Sequence, residues 1–213
     1  MYQPEHEGKP ETFMDDKIKL PKPVFKSNLS IEEAIHQRRS ARSYKDLPMT
    51  LGEVSQLLWS AQGITDPEQR YRTAPSAGAL YPLEVYAVIS NVMDVSAGVY
   101  HYKPFAHRLE KVKDGNMINE LAKAALSQTS IIESAMTLVM TGVYERTTKK
   151  YDERGIRYVY MEAGHAAQNI YLQAESLELG LVVIGAFNDK EIGTILNLPE
   201  DERPLYIIPV GKL

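Results

Sequence analysis

Met136-Thr137-Leu138-Val139-Met140-Thr141-Gly142-Val143 is almost unbroken in apolar residues. Eight residues is strand length, and valine and threonine suit an extended backbone. A strand that is apolar at nearly every position leaves no face for water. The segment is therefore expected to be buried on both faces, inside a sheet flanked by helices.

Downstream, Tyr144 to Gly155 reads as a charged connection that contains Lys149-Lys150-Tyr151. Ile156 to Leu179 is the longest helical stretch, and its middle, Ala163-Gly164-His165-Ala166-Ala167, is rich in small residues. Small residues let a second helix approach closely, so this helix is expected to be central, within the domain or across a dimer. Gly180 is placed as the glycine that ends it. Leu181 to Ile184 follows as a strand and Gly185-Ala186-Phe187 as the turn after it. Asn188 caps a short helix with Glu191, and Leu205 to Val210 is the last strand.

Upstream, Ser30-Ile31-Glu32-Glu33 and Thr50-Leu51-Gly52-Glu53 are two capping boxes. In each, a hydroxyl and a glutamate three residues on satisfy the first free N–H groups of a helix. The second helix carries Leu51, Val54, Leu57, Leu58 and Ala61 at helical spacing, with Trp59 read as packing. Glu84 to Ser90 reads as a strand, and Gly98–Tyr102 with Arg108–Val112 as a hairpin. Asn116 to Leu126 reads as a helix. No strict strand–helix–strand rhythm appears, which predicts an α+β fold with a mixed or antiparallel sheet. Residues 1–26, rich in charge and broken by Pro21 and Pro23, read as an extended arm. Residues 27–213 then form a single domain.

The 213 residues are 44% hydrophobic and 24% charged, the balance of a globular domain, and the net charge is −4. An acidic chain argues against general nucleic-acid binding. There is no cysteine, which excludes disulfides, thiolate metal sites and cysteine nucleophiles together. The five histidines show no metal-binding spacing, and His165 reads as a packed helix residue. No apolar run has membrane-spanning length, so a cytoplasmic protein is the expectation.

Four features carry candidate chemistry. Arg38, Arg39, Ser40 and Arg42 crowd charge and donors suited to phosphate oxygens, or else set cations against the negative end of a helix. Lys212, after the last strand, would complete such a clamp if the chain ends meet. Pro75-Ser76-Ala77-Gly78-Ala79-Leu80-Tyr81-Pro82 has so little bulk that a flat ligand would fit against it. Gly185, after a strand, offers a backbone N–H to a ring. Lys150 and Tyr151 are either proton-handling groups or a solvated charge run.

Three stretches together resemble one family. Arg38-Arg39-Ser40-Ala41-Arg42, Pro75 to Glu84, and Glu162-Ala163-Gly164-His165-Ala166-Ala167-Gln168-Asn169 are similar to the nitroreductase-like flavoproteins, and within them to the SagB-type dehydrogenase branch. The resemblance implies an α+β fold, an intertwined homodimer built on the long helix, and FMN at the interface. It implies that Arg38, Arg39, Ser40 and Lys212 hold the FMN phosphate and ribityl chain, and that Pro75, Ser76, Ala77 and Gly78 form the loop laid on the flavin by the partner. Ile184, Gly185 and Ala186 would edge the ring. The implied activity is hydride transfer through flavin N5 between NADH, NADPH or an organic substrate and an acceptor. Azoline oxidation of a peptide, with Lys150 and Tyr151 as base, is the alternative within the class. A flavin carrier or sensor without turnover, or an enzyme that breaks down flavin, stands outside it.

Overall fold

The computed structural model describes residues 16–213. In chain order its elements are β1 (Lys17–Lys19), α1 (Ile31–Gln37), α2 (Leu51–Gln62), β2 (Ile64–Asp66), β3 (Tyr71–Arg72), β4 (Leu83–Ile89), β5 (Gly98–Lys103), β6 (Arg108–Asp114), α3 (Ile118–Ala124), α4 (Thr129–Ile132), β7 (Met136–Val143), α5 (Glu145–Tyr151), α6 (Arg154–Glu175), β8 (Leu179–Leu181), α7 (Asp189–Leu196) and β9 (Glu202–Lys212).

Seven strands form one sheet in the order β1-β6-β5-β4-β7-β9-β8, and every pairing is antiparallel. β2 and β3 make a separate ribbon. The α+β expectation holds, and the sheet is antiparallel rather than mixed. β7 lies inside it, between β4 and β9, with all eight residues buried, as its composition requires.

The two faces follow strand alternation. Leu83, Val85, Ala87 and Ile89 of β4 join Met136, Leu138 and Met140 of β7 in a core under α2 and α6. Tyr86 and Val88 join Val139 in a second core under α3 and α7. Each large side chain fully buried in these layers contributes about 1.5–3 kcal/mol. Both capping boxes form, at Ser30–Glu33 and at Thr50–Glu53.

Several boundaries differ from the sequence reading. Residues 145–151 of the charged connection are helical, α5. Of the arm, residues 1–15 lie outside the described residues. Lys17–Lys19 forms an edge strand on β6, and the segment beyond is strapped to α2 by Gln56, whose amide accepts from Val24 N–H at 2.8 Å and donates to Val24 O at 2.9 Å. Gly180 does not end α6. The left-handed residue there is Glu178, at φ 55°, and Gly180 lies in β8, where a Cβ would stand 2.8 Å from the Cβ of Ala41. The strand is centred on Leu179–Leu181, and Ile184 joins the sheet only through a bridge to Ile207. His165 is exposed rather than packed. It shares a face of α6 with exposed Tyr160, Met161 and Gly164.

Candidate functional site

The arginines lie just past α1, because the helix stops at Gln37 and Arg38 leaves helical geometry at φ −45°, ψ 121°. Arg38 stacks its guanidinium over the ring of Tyr171 at 5.0 Å. Arg39 turns back and donates to the carbonyls of His36, Gln37 and Arg38, the exposed end of the helix it follows. Ser40 Oγ lies 2.9 Å from the Tyr171 hydroxyl, and that hydroxyl accepts from Val183 N–H at 3.1 Å. Tyr171 therefore joins the arginine stretch to the segment that enters Ile184-Gly185-Ala186. Gly185 and Ala186 are exposed, and only the Tyr206 ring, at 3.9 Å, would touch a Cβ on Gly185.

Lys212 reaches the same region. Ala41 N–H donates to Leu181 O at 2.9 Å and Lys45 N–H to Lys212 O at 2.9 Å, so residues 41–45 run beside β8 and the end of β9. The Lys212 ammonium itself is bonded to Glu53 in the first turn of α2. Residues as far apart in sequence as Lys45 and Lys212 are thus neighbours.

A second cluster forms elsewhere. Pro75 to Tyr81 contains a short turn at Ala77–Ala79, and three of its residues have positive φ: Gly78 at 63°, Ala79 at 53° and Tyr81 at 47°. Ser76 Oγ accepts from Tyr81 N–H at 2.9 Å and closes the turn. A Cβ on Gly78 would stand 2.8 Å from the Tyr151 hydroxyl and 2.9 Å from the Lys150 ammonium. Lys150 and Tyr151 are therefore packed on the loop from the end of α5. Arg146, at the start of α5, pairs with Glu84 at 2.6 Å and donates to Tyr81 O at 3.1 Å. It fastens α5 to the exit of the loop. Burial pushes the Glu84 carboxyl up, but its bond to His101 and the charge of Arg146 win and hold it at about 2.

Within one chain the two clusters do not meet. Tyr171 belongs to the first and Glu162, beneath Ser76, to the second, nine positions apart on α6 and roughly 13 Å along its axis. Tyr171, Arg146 and Glu162 carry contacts that composition could not assign. For Glu162 a signal existed, an acidic residue on the inward stripe of an otherwise small-residue helix. Among the described residues no group of histidine and carboxylate side chains is placed to hold a metal ion. No helix among them is long and apolar enough to cross a membrane.

The nitroreductase family profile matches residues 35–212. This chain belongs to the nitroreductase family. Its family membership makes it an oxidoreductase. MJ1384 of Methanocaldococcus jannaschii, which carries a nitroreductase name, is 45% identical over 93% of this chain and 98% of its own length. A family protein of Ralstonia eutropha has a crystal structure with a TM-score of 0.81 at 26% identity, covering 93% of this chain and 90% of that one. The Escherichia coli microcin synthetase McbBCD complex, solved with truncated pro-MccB17 bound, contains a chain with a TM-score of 0.70 at 29% identity, covering 91% and 77%. That likeness agrees with the SagB-type resemblance of the nitroreductase's three sequence stretches.

Proposed function

We propose that this nitroreductase is an FMN-dependent oxidoreductase that takes hydride from NADH, NADPH or an organic substrate and passes it to an acceptor. The observation that carries the reading is that Arg38 and Ser40 meet at Tyr171, whose hydroxyl holds Val183 at the entry to the exposed Gly185-Ala186 turn, while Lys212 lies beside Lys45 of the segment that follows Ser40. That set has cations for a phosphate, a hydroxyl for a ribityl chain, and a glycine turn open enough for the edge of a flat ring. Arg38 makes no ion pair among the described residues, so its charge is available. Bound FMN would supply the hydride-accepting centre. The chain's own groups would hold the phosphate, orient the ring and exclude water from it.

A homodimer completes this site. Pro75, Ser76, Ala77 and Gly78 lie too far along α6 to reach the arginine cluster of their own chain. A second copy, related by a twofold axis across the exposed Tyr160–Met161–Gly164–His165 face, would bring its loop to the first copy's ring. Lys150 and Tyr151 would arrive with it, because they are packed on Gly78. That placement favours azoline oxidation of a peptide as the second reading, with Lys150 or Tyr151 taking the ring proton. The McbBCD structure, with its bound pro-peptide, supports a peptide substrate for the branch.

The purified protein is expected to be yellow, or to become so with FMN, and to run as a dimer. Anaerobic NADH or NADPH should bleach it, and a nitroaromatic or quinone should restore the colour. Arg38→Ala should lose FMN. A colourless protein that takes up no FMN would refute the reading, and a flavin inert to both reductants would leave the carrier.

A further inference from the structure

Glu162 is buried at 2% exposure, and neither of its carboxylate oxygens makes a hydrogen bond of ordinary geometry among the described residues, although the Ser76 hydroxyl stands beside it. An ion in that position is expensive. Two unsatisfied donors lie in the same polar seam. Arg72 donates through Nη1 to Gln62 Oε1 at 2.8 Å, but its Nε–H is unpartnered, and so is Gln62 Nε2. Arg72 also lays its guanidinium over the ring of Tyr81 at 4.6 Å. The cation nearest to Glu162 is thus committed to other partners, α2 on one side and the loop on the other.

The loop above is under backbone strain. Ala79 and Tyr81 both carry positive φ, a conformation that costs a side-chain-bearing residue energy and persists only when its surroundings enforce it. Two of those surroundings are Ser76 Oγ on Tyr81 N–H and Arg72 on the Tyr81 ring. Glu162 lies beneath Ser76 and within the field of Arg72.

We propose that Glu162 is a positioning residue, and that as a neutral acid it lets Arg72 and Ser76 hold Tyr81 and so seat Gly78 against Lys150 and Tyr151. Once ionised, Glu162 competes for Arg72. The guanidinium then leaves Gln62 and the Tyr81 ring for the carboxylate, and the strained loop relaxes away from α5. No bond is made or broken beyond loss of the carboxyl proton to solvent. This deepens the function proposed above and rests on it for its catalytic consequence, though not for the switch itself.

The groups that face Glu162 are Ser76 from the loop and Arg72 from β3, and Arg72 is in turn drawn by Glu84 and opposed by Arg146. Burial pushes the Glu162 carboxyl up and outweighs Ser76 and Arg72, leaving it at about 7. The change therefore falls within the ordinary working range of an enzyme.

The chain's single tryptophan stands on α2, joined through its backbone carbonyl to the segment that leads into the loop. Thr73 Oγ donates to Trp59 O at 3.0 Å, one residue from Arg72 and three from Ser76. Trp59 emission of the purified protein, read with and without FMN, should show a pH transition with a midpoint near 7. Infrared difference spectra across the same range should show loss of a protonated carboxyl band. Glu162→Gln should abolish both changes and keep the low-pH emission at all pH values. Turnover by Glu162→Gln should lose the corresponding limb of its pH profile. Ser76→Ala should move the midpoint upward, because Ser76 favours the ionised form; it serves as the second arm if Glu162→Gln does not fold. A wild-type protein without the transition, or a Glu162→Gln protein that retains it, would overturn the proposal. Failure to bind flavin would leave the emission and infrared results intact and would count only against the proposed function.

Discussion

The Lys212 ammonium is bonded to the Glu53 carboxylate, which ties the last strand to the first turn of α2. Glu53 also accepts from Thr50 N–H at 2.8 Å in its capping box. In the proposed clamp, a phosphate held by Arg38 and Ser40 would compete with Glu53 for Lys212. Glu53→Gln keeps the cap, since glutamine serves in that position, and frees the lysine. FMN affinity, followed by quenching of flavin fluorescence, should rise about threefold or more. Lys212→Ala should lower it, and the double variant should behave as Lys212→Ala does.

Gly78→Ala meets two obstacles. Its backbone lies at φ 63°, and the new methyl would press on Tyr151 and Lys150. Stability should fall by about 1–2 kcal/mol. If Lys150 and Tyr151 handle the proton as proposed, turnover should fall by about tenfold or more, because displacement of such groups by a fraction of an ångström is costly. Thermal melting and steady-state rates check the two parts separately.

Arg146→Ala removes a partner from Glu84 while leaving the carboxyl partly buried beside His101. The native Glu84 lies below its ordinary value, at about 2. Its contribution to stability is therefore present above the unfolded value and is lost as pH falls toward the folded one. Without Arg146 the folded value rises, so the acid-unfolding midpoint should move to higher pH. The loss at neutral pH should be about 1 kcal/mol, since the arginine is more than one-third exposed and screened by water.

Glu162 runs the other way. Its folded value lies above the unfolded one, so stability is highest while both states hold the proton and declines as pH rises from the unfolded value toward about 7. Glu162→Gln has no such decline. The difference in melting stability between variant and wild type should widen from acid to mildly alkaline pH by about 3 kcal/mol. Calorimetry at several pH values measures it.

Met136–Val143 could be read correctly from the chain because an eight-residue apolar run has few ways to avoid water. The capping boxes at Ser30 and Thr50 were equally readable, since both partners lie within four residues. The charged connection was not. α5 turns Glu145 and Lys149 to solvent as an ion pair at 3.4 Å, buries Thr147 and places Tyr151 on the loop. With so few apolar positions, its helical period is faint. Gly180 misled for a physical reason, because glycine serves both for left-handed backbone and for close approach, and only packing against Ala41 distinguishes the two.

By itself, the sequence determined the fold class, the buried strand β7, the capped starts of α1, α2 and α7, and the types of residue available for chemistry. These depend on local periodicity and on contacts between near neighbours. Tertiary structure alone decided which of those residues meet. Arg38 and Ser40 meet at one end of α6 through Tyr171, with Lys212 tied to the segment that follows them through Lys45, while Gly78, Lys150, Tyr151 and Glu162 share the other. That division depends on sheet order and on the path of residues 41–45 along β8 and β9. Such long-range pairings leave no mark in the spacing of the residues they join.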